Sequence, residues 1–294
     1  MEGPALSEGL EEAQVALVYD IARVEEKLIL KAFRRAGLKT IALHARTTVF
    51  YLGGRGQTVP ITLVRAVGMY RALHLAALAE ASGSLAINGS TAIILAGDKL
   101  LGAAALLRVG IRVPETLAAF SLEGALEALR VVGYPAVIKS PIGGWGRLVT
   151  RVRDPEEARS ILEHREQMSS PLLRTYLVQE YLDTGGRDLR CIVLGDELLG
   201  CVERRASNGE WRSNLALGGE AKPCPADPEL EELAVRAAQA LGLRFAGLDV
   251  FEDGERGYLV NEANAVPEFK GFASATGIDV ASRLAEHVKA LVKR

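Results

Sequence analysis

Short apolar runs and stretches of helical period alternate along this chain, and their order predicts its architecture. VALVYD (15–20) and TIALHA (40–45) are apolar bursts bounded by polar residues, the pattern of strands buried on both faces. Between them RVEEKLILKAFRRAG (23–37) places Leu28, Ile29 and Phe33 on one helical face and stops at Gly37. MYRALHLAALAEASG (69–83) is a further helix closed by glycine, and LAING (85–89) returns to a strand. This β-α-β-α-β order predicts a doubly wound parallel-sheet domain over 15–93, preceded by a flexible tail, 1–14.

The middle block, 94–173, reads as a small α+β unit. Asp98 caps a helix that runs to about Gly110, and Ser121 caps another over 121–133. YPAVIKS (134–140) is a strand, followed by a glycine-rich turn and a second strand over 141–153. Asp154-Pro155-Glu156-Glu157 is a strong helix start, with a capping acid, proline at the first position and acids in the first turn. The last block, 174–294, opens with a strand (175–182) and a hairpin (187–206) turning at GDE. A helix (227–243), two strands (245–253 and 257–264) and a closing helix from 279 follow, giving a C-terminal antiparallel-sheet domain. The fold class is therefore α/β with α+β parts.

Composition narrows the function. The chain has 294 residues, 49% of them apolar, enough for more than one core. A formal net charge of -2 gives no general reason to bind nucleic acid. The three cysteines lack metal-ligand spacing, and Cys191 and Cys201 read as small core residues. Its acidic start has no basic segment of the secretory type, and no apolar stretch nears the ~20 residues of a membrane span. A soluble, cytoplasmic protein with no membrane or nucleic-acid partner is expected. The four histidines are scattered, so no Ser–His or Cys–His arrangement is visible.

The polar groups that interrupt apolar strands are more telling. Asp249 in GLDVF and Glu262 and Asn264 in NEAN sit on neighbouring strands, and residues two apart share a face. Three oxygen donors on one buried face suit Mg²⁺, which completes its shell with phosphate and water. Lys139 ends a buried strand, and Gly143, Gly144 and Gly146 follow, able to turn backbone N–H groups toward an anion. The spacing is neither a P-loop nor a dinucleotide fingerprint. Lys99 opens a helix after Asp98. Gln179 and Glu180 end a strand where an adenine edge could dock, and Asp188 could accept from ribose hydroxyls. Arg190, Arg204, Arg205 and Asn214 could stabilise a transferring phosphoryl group. Taken singly each has an ordinary structural explanation; as a set they point to nucleotide binding. The arginines at 147, 151, 153, 159, 165 and 174 could form a local basic face.

With these residues in view, GDK, YPAVIKSPIGGWGRLV, LVQEYLDTGGRDLRCIVLG, WRSNLALGG, GLDVF and LVNEAN resemble, in order, the ATP-grasp superfamily, from Val15 to the end. The tail NEANAVPEFKGFASATGIDV is similar to the lysine- and arginine-biosynthesis branch, the LysX and ArgX ligases. That resemblance implies an ATP- and Mg²⁺-dependent ligase. It would join glutamate or α-aminoadipate, through the α-amino group, to the C-terminal Glu side chain of an acidic carrier protein, LysW. It implies that Lys99, Lys139 and the loop 143–146 hold phosphates, with Lys139 also near adenine. Glu180, Tyr181 and Leu182 would contact adenine, and Asp188 the ribose. Asp249, Glu262 and Asn264 would hold Mg²⁺, while Arg204 and Asn214, with Arg190 nearby, would steady the acyl phosphate. Glu268, Phe269, Lys270, Gly271 and Phe272 would wall the amino-acid site, Phe272 gauging substrate length. The basic face would steer the carrier, and a dimer or tetramer is expected. The alternatives are a ribosomal-protein or peptide glutamate ligase and a non-catalytic nucleotide-binding regulator.

Overall fold

The computed structural model describes residues 12–52, 58–144, 147–206, 211 and 220–293. Most of the expected tail, and the candidate residues Gly146 and Asn214, lie outside them.

The first sheet is wholly parallel. β1 (Val15–Tyr19), β2 (Thr40–His44), β3 (Ile61–Arg65) and β4 (Leu85–Ile87) lie in the order β2-β1-β3-β4. The helices of this unit are α1 (Val24–Arg35) and α2 (Met69–Ala81), with α3 (Ser90–Gly97) following β4. β3 is missing from the sequence reading. It is only five residues long and ends in a charge, so it gives no clear periodic signal, yet every one of its residues is buried. The expected three strands are thus four.

α4 (Lys99–Arg108) leads into a second, antiparallel sheet. β5 (Thr116–Ala119), β6 (Ala136–Lys139), β7 (Val149–Val152) and β8 (Tyr176–Glu180) lie in the order β5-β8-β6-β7. α5 (Leu122–Val132) and α6 (Pro155–Glu166) bury Leu129, Ala158 and Leu162 against Ile138, Val152 and Val178. The Ser121 hydroxyl accepts from the Gly124 N–H and Asp154 from the Glu157 N–H, satisfying two otherwise orphaned donors. β8 pairs with β5 and β6, so it belongs here and not with the last block.

The third sheet is antiparallel, in the order β11-β10-β9-β12-β13. It comprises β9 (Arg187–Leu194), β10 (Glu197–Arg205), β11 (Glu220–Cys224), β12 (Phe245–Asp253) and β13 (Gly257–Asn264). One face packs Cys191, Val193, Cys201 and Leu248 against α7 (Pro228–Ala240). The other packs Ile192, Leu194, Val202 and Phe245 against α1, α8 (Lys270–Thr276) and α9 (Val280–Val292), so the first and third units share a core. The three thiols are free and occupy one cross-strand row of β9, β10 and β11. Hydrogen bonding to Cys191 and burial push the Cys201 thiol up, and burial pushes Cys224 up to about 12; these are inert thiols.

One buried amide fastens the units together. Asn88, just past β4, donates to the carbonyls of Phe245 and Ala265, 2.7 Å each. Its Oδ1 accepts from the N–H of Arg244 (2.7 Å) and of Phe245 (3.1 Å). Among the described residues no helix is long and apolar enough to cross a membrane.

Candidate active site

Directly opposed residues of an antiparallel sheet project from the same face. Register places Arg190 beside Asp249 and Asp249 beside Glu262, with Arg204 opposite Asp188 in the next row and Asn264 opposite Gly247. A charged patch therefore occupies one end of a face whose other end is apolar core. Asp249 Oδ1 lies 2.9 Å from Arg190 Nη1 and 3.0 Å from Arg204 Nη2. Arg204 Nε also donates to Asp188 Oδ1 at 2.8 Å, and its Nη2 to Asp188 Oδ2. Burial opposes the charge of Arg204, but Asp249 and Asp188 overcome it and hold its pKa above the ordinary arginine value.

Asp249 Oδ1 and Arg190 Nη1 approach each other closely yet make no aligned hydrogen bond. A buried carboxylate oxygen with unused acceptor capacity, a second carboxylate beside it and an amide two residues on fit a hard cation. Among the described residues no three His, Cys, Asp or Glu side chains converge, so an ion here would need Asn264 and non-protein oxygens besides the two acids.

A β-bulge adds a residue that period-two counting had set on the opposite face. Asp249 pairs with Glu262 but Val250 with Val260, leaving Asn261 as the extra residue. Asn261 Oδ1 accepts from Lys139 Nζ at 2.9 Å. Gln179 Oε1 accepts from the same ammonium at 2.6 Å, and Thr116 Oγ1 fixes the amide by accepting from Gln179 Nε2 at 2.9 Å. Two of the three ammonium donors are thus used. Burial, more than anything else, pulls the Lys139 pKa down to about 8, against the pull of Glu262. Lys99 Nζ donates to the Gly143 carbonyl at 2.8 Å and stands 3.6 Å from Glu262.

Many of these groups line a cleft of about 790 Å³ between the second and third sheets. Lys99, Lys139, Gly143, Gly144, Gln179, Glu180, Tyr181, Leu182, Asp188, Asp249 and Glu262 all face it. At its other end Arg151 lies over the rings of Tyr181 and Trp211, 5.0 and 5.5 Å from their centroids. A second cleft, about 1760 Å³, opens toward the first domain between Val67, Gly68, Met69 and Arg190, Asn264, Glu268. The two share Gly143, Gly144, Arg147, Asp249 and Glu262.

Several expectations need correction. Both oxygens of Asp188 are held by Arg204, so this acid orients an arginine and is a poor ribose ligand. The Glu180 carboxylate is clasped by Arg256 at 2.7 and 3.0 Å and accepts the Glu115 N–H, which leaves the expected backbone contact to a base unaffected. The basic face dissolves. Arg151 turns inward, Arg165 is buried, and Arg153, Arg159 and Arg174 pair with Glu157, Glu163 and Glu166.

The segment VPEFKGF is chiefly a clamp. Buried Arg65 donates to Glu26 at 3.0 Å and to the Pro267 carbonyl at 3.0 Å, with Phe269 packed 5.9 Å from its guanidinium. Arg23 reaches Glu268 at 3.2 Å, and Glu25 accepts the Lys270 N–H at 3.0 Å. Of the five proposed wall residues only Glu268 lines the second cleft. Phe269 and Phe272 are core, 1% and 2% exposed: Phe269 packs 6.1 Å from the Phe245 ring of β12, and Phe272, on α8, lies against Gly200 of β10. The Lys270 side chain is exposed and Gly271 lies outside the cleft lining.

A cleft between two antiparallel sheets, floored by paired carboxylates and opening into a second cleft, fits an ATP-grasp architecture. The chain belongs to the RimK-like ATP-grasp family: that domain model matches residues 96–288, and the LysX pre-ATP-grasp domain model matches residues 15–95. It is 43% identical over 276 residues to the glutamate–LysW ligase ArgX of Sulfolobus acidocaldarius, covering 94% of this chain and 98% of that one. It is 34% identical over 284 residues to the α-aminoadipate–LysW ligase LysX of Sulfurisphaera tokodaii, covering 95% and 99%. The solved RimK-domain ATP-grasp protein of Sphaerobacter thermophilus superposes with a TM-score of 0.78 at 29% identity, covering 94% of this chain and 99% of that one.

Proposed function

We propose that this protein is an ATP-dependent carboxylate–amine ligase that joins glutamate, α-aminoadipate or both to a LysW-type carrier protein in arginine or lysine biosynthesis. The observation that carries the reading is that the two clefts meet at Asp249 and Glu262. A phosphate donor in the first cleft and a carboxylate acceptor in the second would therefore face each other across those acids. The higher identity to the ArgX relative favours glutamate.

Lys99 and Lys139 would neutralise phosphate oxygens, and Gly143 and Gly144 would bring backbone close to them. Tyr181, Leu182 and the Glu180 backbone would receive the base. Asp249, Glu262 and Asn264 would hold Mg²⁺, which when bound neutralises charge on the transferring phosphoryl group. The carrier's carboxylate would take the γ-phosphoryl group, releasing ADP. The α-amine would then attack the acyl carbon, expelling phosphate. Arg190 and Arg204, already oriented by Asp249 and Asp188, would stabilise the charge on that acyl phosphate. The chain's own contribution is positioning and charge neutralisation, with no covalent intermediate on a side chain.

ADP release measured with ATP, Mg²⁺ and each amino acid, with and without an acidic carrier ending in Glu, tests this. Release that requires the carrier supports the reading. Release driven equally well by a ribosomal-protein tail or an unrelated Glu-terminated peptide favours the broader glutamate-ligase alternative, and no release at all favours a nucleotide-binding regulator.

A further inference from the structure

The glycine loop between β6 and β7 borders both clefts, and its two roots are held in different ways. On the β6 side, the Lys99 N–H donates to Pro141 O at 2.8 Å and its ammonium to Gly143 O at 2.8 Å. On the β7 side stands one guanidinium, that of Arg165 in the last turn of α6. Its Nη2 lies 3.1 Å from Leu148 O, 3.4 Å from Thr150 Oγ1 and 3.5 Å from Ile138 O. Leu148 O also accepts from the Ser140 N–H at 3.4 Å, so Arg165 sits on the bond that closes the base of the hairpin.

Two features argue that this is more than packing. Arg165 is 5% exposed, and among the described residues no carboxylate forms an ion pair with it. Burial lowers its pKa below the ordinary arginine value, and its Nη1 has no hydrogen-bond partner. A buried cation without an acid is costly, and an apolar side chain at that position would avoid the cost. The residue it grips, Leu148, has a φ of +59°, a left-handed conformation unfavourable for a branched side chain. The one engaged nitrogen of Arg165 has acceptors on both strands, the Ile138 carbonyl on β6 and Thr150 Oγ1 on β7, and so ties the two strands together beside that backbone.

We propose that Arg165 is a positioning residue for nucleotide binding: by fixing Leu148 and the β7 root of the loop, it holds Gly143, Gly144 and Arg147 in place at the phosphate end of the cleft. Arg165 touches neither substrate. The identity of the nucleotide rests on the ligase reading above.

The test compares Arg165→Met, Arg165→Lys and Leu162→Ala, the last removing a buried apolar side chain from the same helix. Mg²⁺-ATP affinity is measured by titration calorimetry on the full chain, with kcat at saturating ATP and a melting curve for each variant. Arg165→Met should weaken ATP roughly 10- to 100-fold. Its kcat at saturation should stay within about threefold of the wild type, as a loss of uniform binding predicts. Arg165→Lys should recover part of the affinity. Leu162→Ala should melt earlier yet bind ATP within about twofold of wild type, because it removes buried apolar packing from the same helix and no hydrogen bond of Arg165. Should Arg165→Met fold poorly, Arg165→Lys still reports, because the shorter ammonium should not reach all three acceptors and ATP should weaken several-fold. Wild-type ATP affinity in both arginine variants, or an equal loss in Leu162→Ala, overturns the proposal. A wild-type protein that binds no ATP would overturn the ligase reading itself and the proposal with it.

Discussion

Truncating Phe272 to alanine should cost stability and leave substrate choice untouched. The ring is 2% exposed and belongs to the core shared by β10, α8 and α9. It fits so closely over β10 that a Cβ added at Gly200 would lie 3.2 Å from its tip. Removing a fully buried phenyl from such a site costs about 3–5 kcal/mol, part lost transfer energy and part residual cavity. For a chain of this size that lowers the melting midpoint by roughly 6–20 °C. A residue that gauged substrate length would behave otherwise. Glutamate and α-aminoadipate differ by one methylene, worth about 0.8 kcal/mol on burial, and a wall residue could shift their relative kcat/KM from several-fold to ~100-fold. The assay is kcat/KM for both amino acids at a temperature where the variant is folded, beside a melting curve. The reasoning is refuted by a ratio that moves more than about fivefold while the midpoint stays put.

Other expectations follow from the same geometry. Glu262→Gln should lower turnover by ~100-fold or more while keeping the fold, checked by initial rates and calorimetric Mg²⁺ titration; normal rates would remove it from the metal site. Asp249→Asn should lose activity too, but also melt earlier, because Arg190 and Arg204 lose a buried carboxylate. Asn261→Ala should raise KM for ATP roughly tenfold with a smaller change in kcat, since one of two acceptors holding Lys139 disappears. Lys139 has a folded pKa of about 8, below its unfolded value, so its charge is present below that pH and lost above it. ATP affinity should therefore fall as pH rises through 8, by at most ~10-fold per unit, while global stability gains between 8 and the unfolded pKa because the unfolded chain binds more protons there. Lys139→Gln should flatten the affinity profile, and a profile unchanged by the substitution would assign the effect elsewhere.

Much of the plan was legible because period and punctuation agreed. Asp154-Pro155 announced α6, and the alternation of strand and helix announced the first domain, though a buried five-residue strand, Ile61–Arg65, gave too little pattern to read. Asp249 and Glu262 stood out because acids interrupt two buried strands. Asn261 did not, since strict alternation placed it on the opposite face and only the bulge turns it to Lys139. Side-chain allegiance was the least visible feature. Nothing local distinguishes the carboxylate of Asp188, spent on Arg204, from that of Asp249, which keeps an unaligned oxygen. Partners come from other strands, and only register decides who meets whom. For the same reason a run of arginines that reads as a basic surface divides in space into buried, stacked and paired members.

The segment that carries the family resemblance acts at one remove from the chemistry. VPEFK joins the end of β13, where Asn264 stands, to α8, and it is tied to the first domain by Arg65 at Pro267, Arg23 at Glu268 and Glu25 at the Lys270 amide. The second cleft has Val67, Gly68 and Met69 on one side and Asn264 to Glu268 on the other, and β3, which ends at Arg65, leads into the first of these walls. Those three bonds therefore bear on the separation of the walls that, on the proposed function, an amino acid and a carrier tail would enter. Asn88 fixes the same separation from the other direction, holding Ala265 and Phe245 to the end of β4. Because a buried charge or amide leaves an expensive orphan when its partner is removed, the Arg65 and Asn88 contacts resist small adjustments better than apolar packing does. On the proposed reading of the second cleft as the amino-acid site, discrimination between substrates one methylene apart would depend on how rigidly the two domains are spaced, and residues outside the cleft would take part in it.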